Sequence, residues 1–378
     1  MGFDFSPESL DREFPVRRNL VYMNHAAVSP MPRRVADAMT AHLENMRDRG
    51  AADWRRWFGE IEKTREKAAR FIGASTAEVG FLPNTSWALN YVALAFPWKP
   101  GDNVVTSDLE FPSNAYPWQA LEARGVECRM AENRGGRVGL AEVAPRVDAK
   151  TRVIAVSWVA FHNGWVFPLE ELGAFCRERG ILLVVDGIQG LGLLPIDVHR
   201  AGVHVLAADS HKWLYGAEGC TVFYVAEDAA QRIPPIASGW WNSKTEGDYL
   251  GSRATLYKGA RRYEPGTLPT DHIIGLSASL DLLAEIGAEA AHRRVLELVR
   301  ALADGLRSRD WKIVTPEPFR SGILGAVPPS RDARSWAKDL EARGVIVSPR
   351  EGAVRFSPHV GNDLGEIEKA LSVIDVIG

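Results

Sequence analysis

Asp186 and Lys212 are the residues of this chain whose types and spacing point most directly to a specific chemistry. Asp186 ends the apolar run Ile181-Leu182-Leu183-Val184-Val185, and Lys212 follows within Ser210-His211-Lys212-Trp213-Leu214. A carboxylate at the carboxyl end of a buried strand, with a lysine shortly after the next one, suits pyridoxal phosphate chemistry. The amine would hold the cofactor aldehyde as a Schiff base, and the carboxylate would keep the pyridine nitrogen protonated. Burial of Val184 and Val185 would leave Asp186 partly desolvated unless a cation met it. A pyridinium supplies that cation, and its charge draws electrons from the substrate Cα. The simpler alternative for Asp186 alone is a strand-end carboxylate that caps a turn.

Other segments could complete such a site. Gln189, three residues past Asp186, can aim its amide at the phenolate oxygen, or else stabilise the turn. Phe81-Leu82-Pro83-Asn84-Thr85-Ser86 is an apolar entry, a polar turn and then a helical start. Thr85 and Ser86 would offer hydroxyls and free backbone N–H groups to a phosphate; a plain helix cap is the alternative. Phe111, in Glu110-Phe111-Pro112-Ser113-Asn114, is either a flat lid over a planar ring or a core aromatic. Arg355, in Val354-Arg355-Phe356-Ser357-Pro358-His359, would clamp a substrate carboxylate with two parallel hydrogen bonds, or form a surface ion pair. Gly187-Ile188-Gln189-Gly190-Leu191-Gly192 has the order G-x-x-G-x-G, which is not the dinucleotide fingerprint.

These residues need a frame that brings them together. Strands are expected at 103–106, 152–156, 181–185 and 221–225, with helical stretches at 117–124 and 169–179. Continuous apolar strands alternating with amphipathic helices predict a mainly parallel sheet covered on both faces, with ligands beyond the strands' carboxyl ends. After Gly266 the pattern changes. One long helical stretch is expected from His272 to Arg307, with Leu280, Leu283, Ile286, Val295, Leu298 and Leu302 at helical spacing. Short strands at 312–314, 322–326, 345–347 and 354–356 and a last helix from Leu364 to Ile377 make an α+β tail.

Composition narrows the function classes. The chain has 378 residues, long enough for two ordinary domains, and a net charge of −3 that argues against a nucleic-acid partner. The first twenty residues carry seven charged side chains and no apolar stretch, so no cleavable signal is expected. No apolar run approaches the ~20 residues of a membrane span. Three scattered cysteines, Cys128, Cys176 and Cys220, have no metal-ligand spacing and suit a reducing cytoplasm.

Taken together, the segments from Tyr22-Met23-Asn24-His25-Ala26-Ala27 to the Arg355 strand resemble the class V aminotransferase family. That family includes cysteine desulfurases, kynureninases and isopenicillin N epimerases. The most specific match is Val185-Asp186-Gly187-Ile188-Gln189 followed by Ser210-His211-Lys212-Trp213-Leu214-Tyr215-Gly216. The resemblance implies the α/β type I fold of pyridoxal phosphate enzymes. A large cofactor domain would span 18–285, with a smaller α+β domain from 1–17 and 286–378. It makes Lys212 the Schiff-base lysine, Asp186 the pyridinium partner and Gln189 the phenolate-oxygen donor. Thr85, Ser86, Ser210 and His211 fall to the phosphate side, and Phe111 to ring stacking. Thr267 would reach the partner subunit's phosphate, which implies a homodimer with shared active sites. Arg355 is joined by Asn24, His25 and His162 as substrate-side candidates, and no metal is expected. Gly239-Trp240-Trp241 would be either an aromatic substrate wall or a packing surface.

Two departures from the family pattern stand out. Asp209 occupies a position where relatives carry Ser or Thr for the phosphate, so either Ser210 takes its place or Asp209 turns away. No cysteine follows Cys220, whereas desulfurases carry a loop cysteine shortly before the carboxylate-binding arginine. A persulfide mechanism is therefore disfavoured. Transamination of an amino acid is the expected reaction, because it needs nothing beyond Lys212. A carbon–sulfur or carbon–carbon lyase and an epimerase are the alternatives, and a non-catalytic cofactor-binding protein is the reading from another class.

Overall fold

The computed structural model describes residues 2–244 and 255–378. Its strands are Val21–Tyr22 (β1), Val79–Leu82 (β2), Asn103–Ser107 (β3), Glu127–Ala131 (β4), Thr151–Ser157 (β5), Leu182–Asp186 (β6), Val205–Asp209 (β7) and Thr221–Val225 (β8). The C-terminal part adds Lys312–Ile313 (β9), Leu324–Val327 (β10), Val345–Ile346 (β11), Ser348–Arg350 (β12) and Ala353–Phe356 (β13).

Seven strands form the main sheet in the order β2-β8-β7-β6-β5-β3-β4. β4, β3, β5, β6 and β7 are parallel to their neighbours, and only the β8 pairings are antiparallel. Strands such as β6 and β8 are buried along their whole length. Burial on both faces is why they read as unbroken apolar runs rather than as alternating ones. The chain passes from β3 to the edge strand β4 and then returns to β5 on the other side of β3. That reversal opens a crevice at the carboxyl ends of β3 and β5. Ser157 pairs with Asp186 across β5 and β6, and Asp186 with Ala207 across β6 and β7, so a row of functional positions shares one edge.

The smaller sheet runs β12-β13-β10-β9, antiparallel throughout. The helices Ala288–Arg307, Ala333–Glu341 and Leu364–Ile377 pack around it. The expected strand at 345–347 forms at Val345–Ile346 but pairs in parallel with β1 instead of joining that sheet.

The single helix expected over 272–307 is two helices, Thr270–Ile286 and Ala288–Arg307. Gly287 separates them at a φ of +80°, which only glycine adopts without strain. Apolar spacing continues across the break because both helices bury a face, so periodicity alone cannot locate it. The helix expected at 117–124 begins earlier, at Pro112, and tightens into a 3-10 turn over Ala120–Arg124. Pro112 stands at the first helical position, where its missing N–H costs nothing.

One buried ion pair ties several of these elements together. Arg65, on the helix Trp54–Ile72, donates to both carboxylate oxygens of Glu264 at 2.6 and 3.1 Å. Glu264 also accepts the Phe81 N–H of β2 and the Trp241 indole N–H. Its side chain is fully buried, so the cation must stay for the carboxylate to be tolerated. Arg65→Met is expected to lower unfolding stability by about 3–5 kcal/mol, seen as a fall in the urea midpoint, because it strands Glu264 inside.

Candidate active site

The crevice predicted by the strand order is a cavity of about 300 Å³ in which Lys212, Asp186, Phe111 and Arg355 meet. Asp186 arrives at the end of β6 and is 3% exposed. One carboxylate oxygen accepts the Ile188 N–H at 3.0 Å, and no ion pair closes on it among the described residues. Burial raises its pKa to about 6, against the pull of that N–H and of Lys212. The turn that follows is tightly constrained, since a Cβ on Gly190 would lie 2.4 Å from the Trp158 ring.

Lys212 sits in the turn after β7 with its amine opening onto the cavity. Burial lowers its pKa to about 8; Asp186 partly restores it, and Arg355 lowers it further. Its Nζ stands 5.9 Å from the centroid of the Phe111 ring. Phe111 is 44% exposed and lies edge-on to Phe161 at 5.2 Å. A large ring left open over a lysine is not core packing.

The opposite wall is polar. Thr85 and Ser86 open the eleven-residue helix Thr85–Ala95, with Asn84 as its cap. The Thr85 hydroxyl accepts the Asp209 N–H at 2.9 Å, and the Ser86 hydroxyl meets that of Ser113 at 2.6 Å. His211 Nδ1 is buried without a hydrogen-bond partner, and Asp209 Oδ2 is 3.3 Å from it. Asp209 lines the cavity, while its other oxygen accepts the N–H groups of Ser210 and Cys220 at 2.8 and 3.3 Å.

Arg355 rises from β13 and is 2% exposed. It gives one N–H to the Phe161 carbonyl at 2.8 Å and keeps Nε and Nη2 buried without a partner. Burial, followed by the nearby Arg350 guanidinium, brings its pKa down to about 9, so it stays a cation at neutral pH. A desolvated cation with two idle donors calls for an anion.

This donor set fits pyridoxal phosphate. An amine of lowered pKa and a buried carboxylate serve its two ring ends. Hydroxyls, a helix N-terminus and an idle imidazole suit its phosphate. Gln189 also lines the cavity, although its amide oxygen accepts the Trp213 indole N–H and its amide nitrogen donates to the Ala26 carbonyl. Asp209 is the one adverse charge, and the His211 ring stands beside it.

Several expected positions lie elsewhere. The Ser210 hydroxyl donates to the Ala217 carbonyl at 2.6 Å, pointing away from the cavity, so it does not take the place that Asp209 occupies. His25 is buried among Tyr22, Trp213, Tyr215 and His359 and meets the Ser357 carbonyl at 3.0 Å; it does not line the cavity. Asn24 is bridged to Ser357, with its side-chain oxygen unpartnered. His162 lies beside Phe161, outside the lining, with Nδ1 unpartnered. Thr267 is exposed and outside its own chain's cavity. Trp241 packs on Phe58 and Trp240, which removes it from the substrate wall.

Two participants escaped the sequence reading. Glu110 is fully enclosed and accepts from Ser107, Asn114 and both the N–H and hydroxyl of Ser157, all within 3.0 Å. Burial raises its pKa to about 7. It locks the carboxyl ends of β3 and β5 together directly behind Phe111. Arg350 lines the cavity beside Arg355. The Glu351-Gly352 pair between two short strand signals marked a hairpin, which would have placed both arginines together.

The family described as Aminotransferase class-V matches residues 21–354. A Methanothermobacter thermautotrophicus protein named "Probable cysteine desulfurase" is 31% identical, over 90% of this chain and 86% of its own length. A Thermococcus onnurineus cysteine desulfurase, solved in its apo form, superposes with a TM-score of 0.92 at 27% identity, covering 100% of this chain and 99% of that one. The cystine C-S lyase C-DES, in complex with its product cysteine persulfide, gives a TM-score of 0.89 at 25% identity, covering 95% and 98%.

Two measurements probe the site's electrostatics. The amine must be neutral to attack an aldehyde, so capture of pyridoxal phosphate by apoprotein should accelerate between about pH 7 and pH 9, with its inflection near 8. A pH-independent capture rate would contradict a desolvated Lys212. Burial also holds His25 neutral by moving its pKa from 6.5 to about 4. The unfolded chain takes up a proton below pH 6.5 that the folded one refuses, so this contribution is whole above 6.5 and is lost as the pH falls toward 4. His25→Gln is therefore expected to flatten the fall in Tm between about pH 7 and pH 5.

Proposed function

The chain belongs to the aminotransferase class-V family and is a pyridoxal phosphate enzyme, and from that premise we propose that it is a carbon–sulfur lyase acting on an S-substituted cysteine. The observation that carries the choice is where its three cysteines lie. Cys176 and Cys220 are buried in the core, Cys128 is on the edge strand β4, and none lines the cavity. Burial pushes the thiols of Cys128 and Cys176 up to about 11 and 12, and raises that of Cys220 well above its ordinary value. No thiolate stands ready to take sulfur from a substrate, as a desulfurase would require. The relatives' names nevertheless centre on breaking carbon–sulfur bonds. Elimination that releases the sulfur fragment as a product reconciles the two.

Bound pyridoxal phosphate would supply the electron sink that makes the substrate Cα acidic. In the proposed roles, Lys212 would hold the cofactor through its aldehyde, and its neutral Nζ would take the Cα proton of the substrate. Asp186 would keep the ring nitrogen protonated and Phe111 would cover the ring. Gln189 would donate to the phenolate oxygen through the amide hydrogen that the Ala26 carbonyl does not take. Thr85, Ser86 and His211 would hold the phosphate, and Arg355 would orient the α-carboxylate through its two idle donors. The Cβ–S bond breaks with its electron pair leaving on sulfur, which is protonated to a thiol or persulfide. Hydrolysis then divides the remainder into pyruvate and ammonium, so one water is consumed for each substrate cleaved.

Transamination, the reaction favoured from the sequence, uses the same groups; the relatives' chemistry supports elimination over it. The same proposal includes a homodimer in which Thr267 reaches the partner's cofactor, and a cytoplasmic location. No helix among the described residues is long and apolar enough to cross a membrane. It also includes the division into domains 18–285 and 1–17 with 286–378. Arg17 bridges to Asp363 and Glu366, which supports grouping the N-terminus with the C-terminal part.

Incubation with S-substituted cysteines should yield pyruvate and a thiol or persulfide in equal amounts, with no amino acceptor required. Lys212→Ala should reduce that turnover by roughly 10²–10⁴-fold or more and abolish the borohydride-stable cofactor adduct. Amino-group transfer to an added oxo acid, with no sulfur product, would overturn the lyase reading in favour of transamination.

A further inference from the structure

β12 and β13 form a hairpin closed by Glu351 and Gly352, both at positive φ. Two successive positive φ values make the tight turn that matches the twist of the flanking strands. In its register Ser348 pairs with Arg355. Cross-strand partners share a face, and Arg350 lies two residues beyond Ser348 on that same face. The pleat therefore raises both guanidiniums toward the same cavity, and both line it. On the neighbouring strand Gly325 pairs with Arg355 and contributes no side chain to that face.

Like charges placed this way repel, and the effect reaches Arg355 and Lys212 alike. Among the described residues neither arginine is ion-paired, and Arg350 donates only to the Pro349 carbonyl. One carboxylate can satisfy the idle Nε and Nη2 of Arg355. It leaves Arg350 without a counter-ion. Arg350 also borders a second, outer cavity of about 580 Å³, together with Asp332, Arg334 and Glu351. The Asp332 carboxylate is engaged by the N–H groups of Arg334 and Ser335 and by the Ser335 hydroxyl. Arg350 thus lines both cavities, and the second leaves room for a substrate that extends past Arg355.

We propose that Arg350 is a specificity-determining residue that binds a second carboxylate, at the far end of the substrate's sulfur substituent. The substrate class is then an S-substituted cysteine with an anionic tail, a disulfide-linked amino acid included, in preference to one with an apolar tail. This deepens the lyase reading and rests on it for the sulfur linkage, but the second anion site itself does not depend on which bond breaks.

The test separates the two. Competitive binding to holoenzyme is measured with 3,3′-thiodipropionate, a thioether carrying a carboxylate at each end, and with 3-(propylthio)propionate, which carries one. Wild type should bind the dianion roughly 10–100-fold more tightly, as expected for one charge-assisted contact. Arg350→Gln should remove most of that preference, and Arg350→Lys should restore part of it by keeping the charge. In turnover, the ratio of kcat/KM for S-(2-carboxyethyl)cysteine to that for S-propylcysteine should fall by a similar factor in Arg350→Gln, carried by KM. Equal binding of the two thioethers to wild type would overturn the proposal. So would an equal loss for both in Arg350→Gln, which would assign Arg350 to the α-carboxylate beside Arg355. If dianion preference tracks Arg350 but no sulfur product forms from either cysteine, the second anion site stands and the lyase reading fails.

Discussion

An uncompensated set of buried charges governs this structure. Asp186 has no ion-paired cation among the described residues, Arg355 keeps two idle donors, and Lys212 shares their cavity and feels both charges. Each group is shifted toward its neutral form, with burial the largest cause in every case. Folding tolerates that cost only because surrounding elements hold the groups apart at fixed positions. A bound dipolar, anionic cofactor and a carboxylate substrate relieve the same imbalance. The protein is built around what it binds.

The fixed positions come from the sheet. Reversal of strand order at β3 and β5 opens the crevice, and the parallel register brings Ser157, Asp186 and Ala207 level at its floor. Glu110 then fastens the two strand ends by accepting four hydrogen bonds, so the turn carrying Phe111 is held from behind. The smaller sheet supplies the arginines from the other side. Neither sheet contains a complete site, and the chemistry lies where their edges face each other across the cavity.

Where cysteines are absent matters as much as where charges are present. The three thiols are buried or at an edge, with raised pKa values, so under the proposed lyase reading the sulfur would be carried by the substrate. Beside Arg355 in the cavity stands a second arginine, Arg350, at the end of a tight hairpin.

How much of this was legible in the sequence depends on the range of the interaction. Local patterns were enough to single out Lys212, Asp186, the Thr85-Ser86 turn, Phe111 and Arg355, all of which line the cavity, because each is marked by its immediate neighbours: a strand end, a helix start, a polar shoulder. The mainly parallel sheet followed from apolar runs that only two-sided burial explains. Tertiary structure alone decided the rest. Gly287 divides a helix whose apolar spacing continues across it, and Ser210 turns to a carbonyl while Asp209 occupies the cavity wall. His25 belongs to an aromatic cluster assembled from distant segments, and Glu110 and Arg350 acquire their roles from strands that meet only after folding. Composition and period report what one segment needs to bury. Which groups then face one another is set by strand order and register, and those are properties of the whole chain.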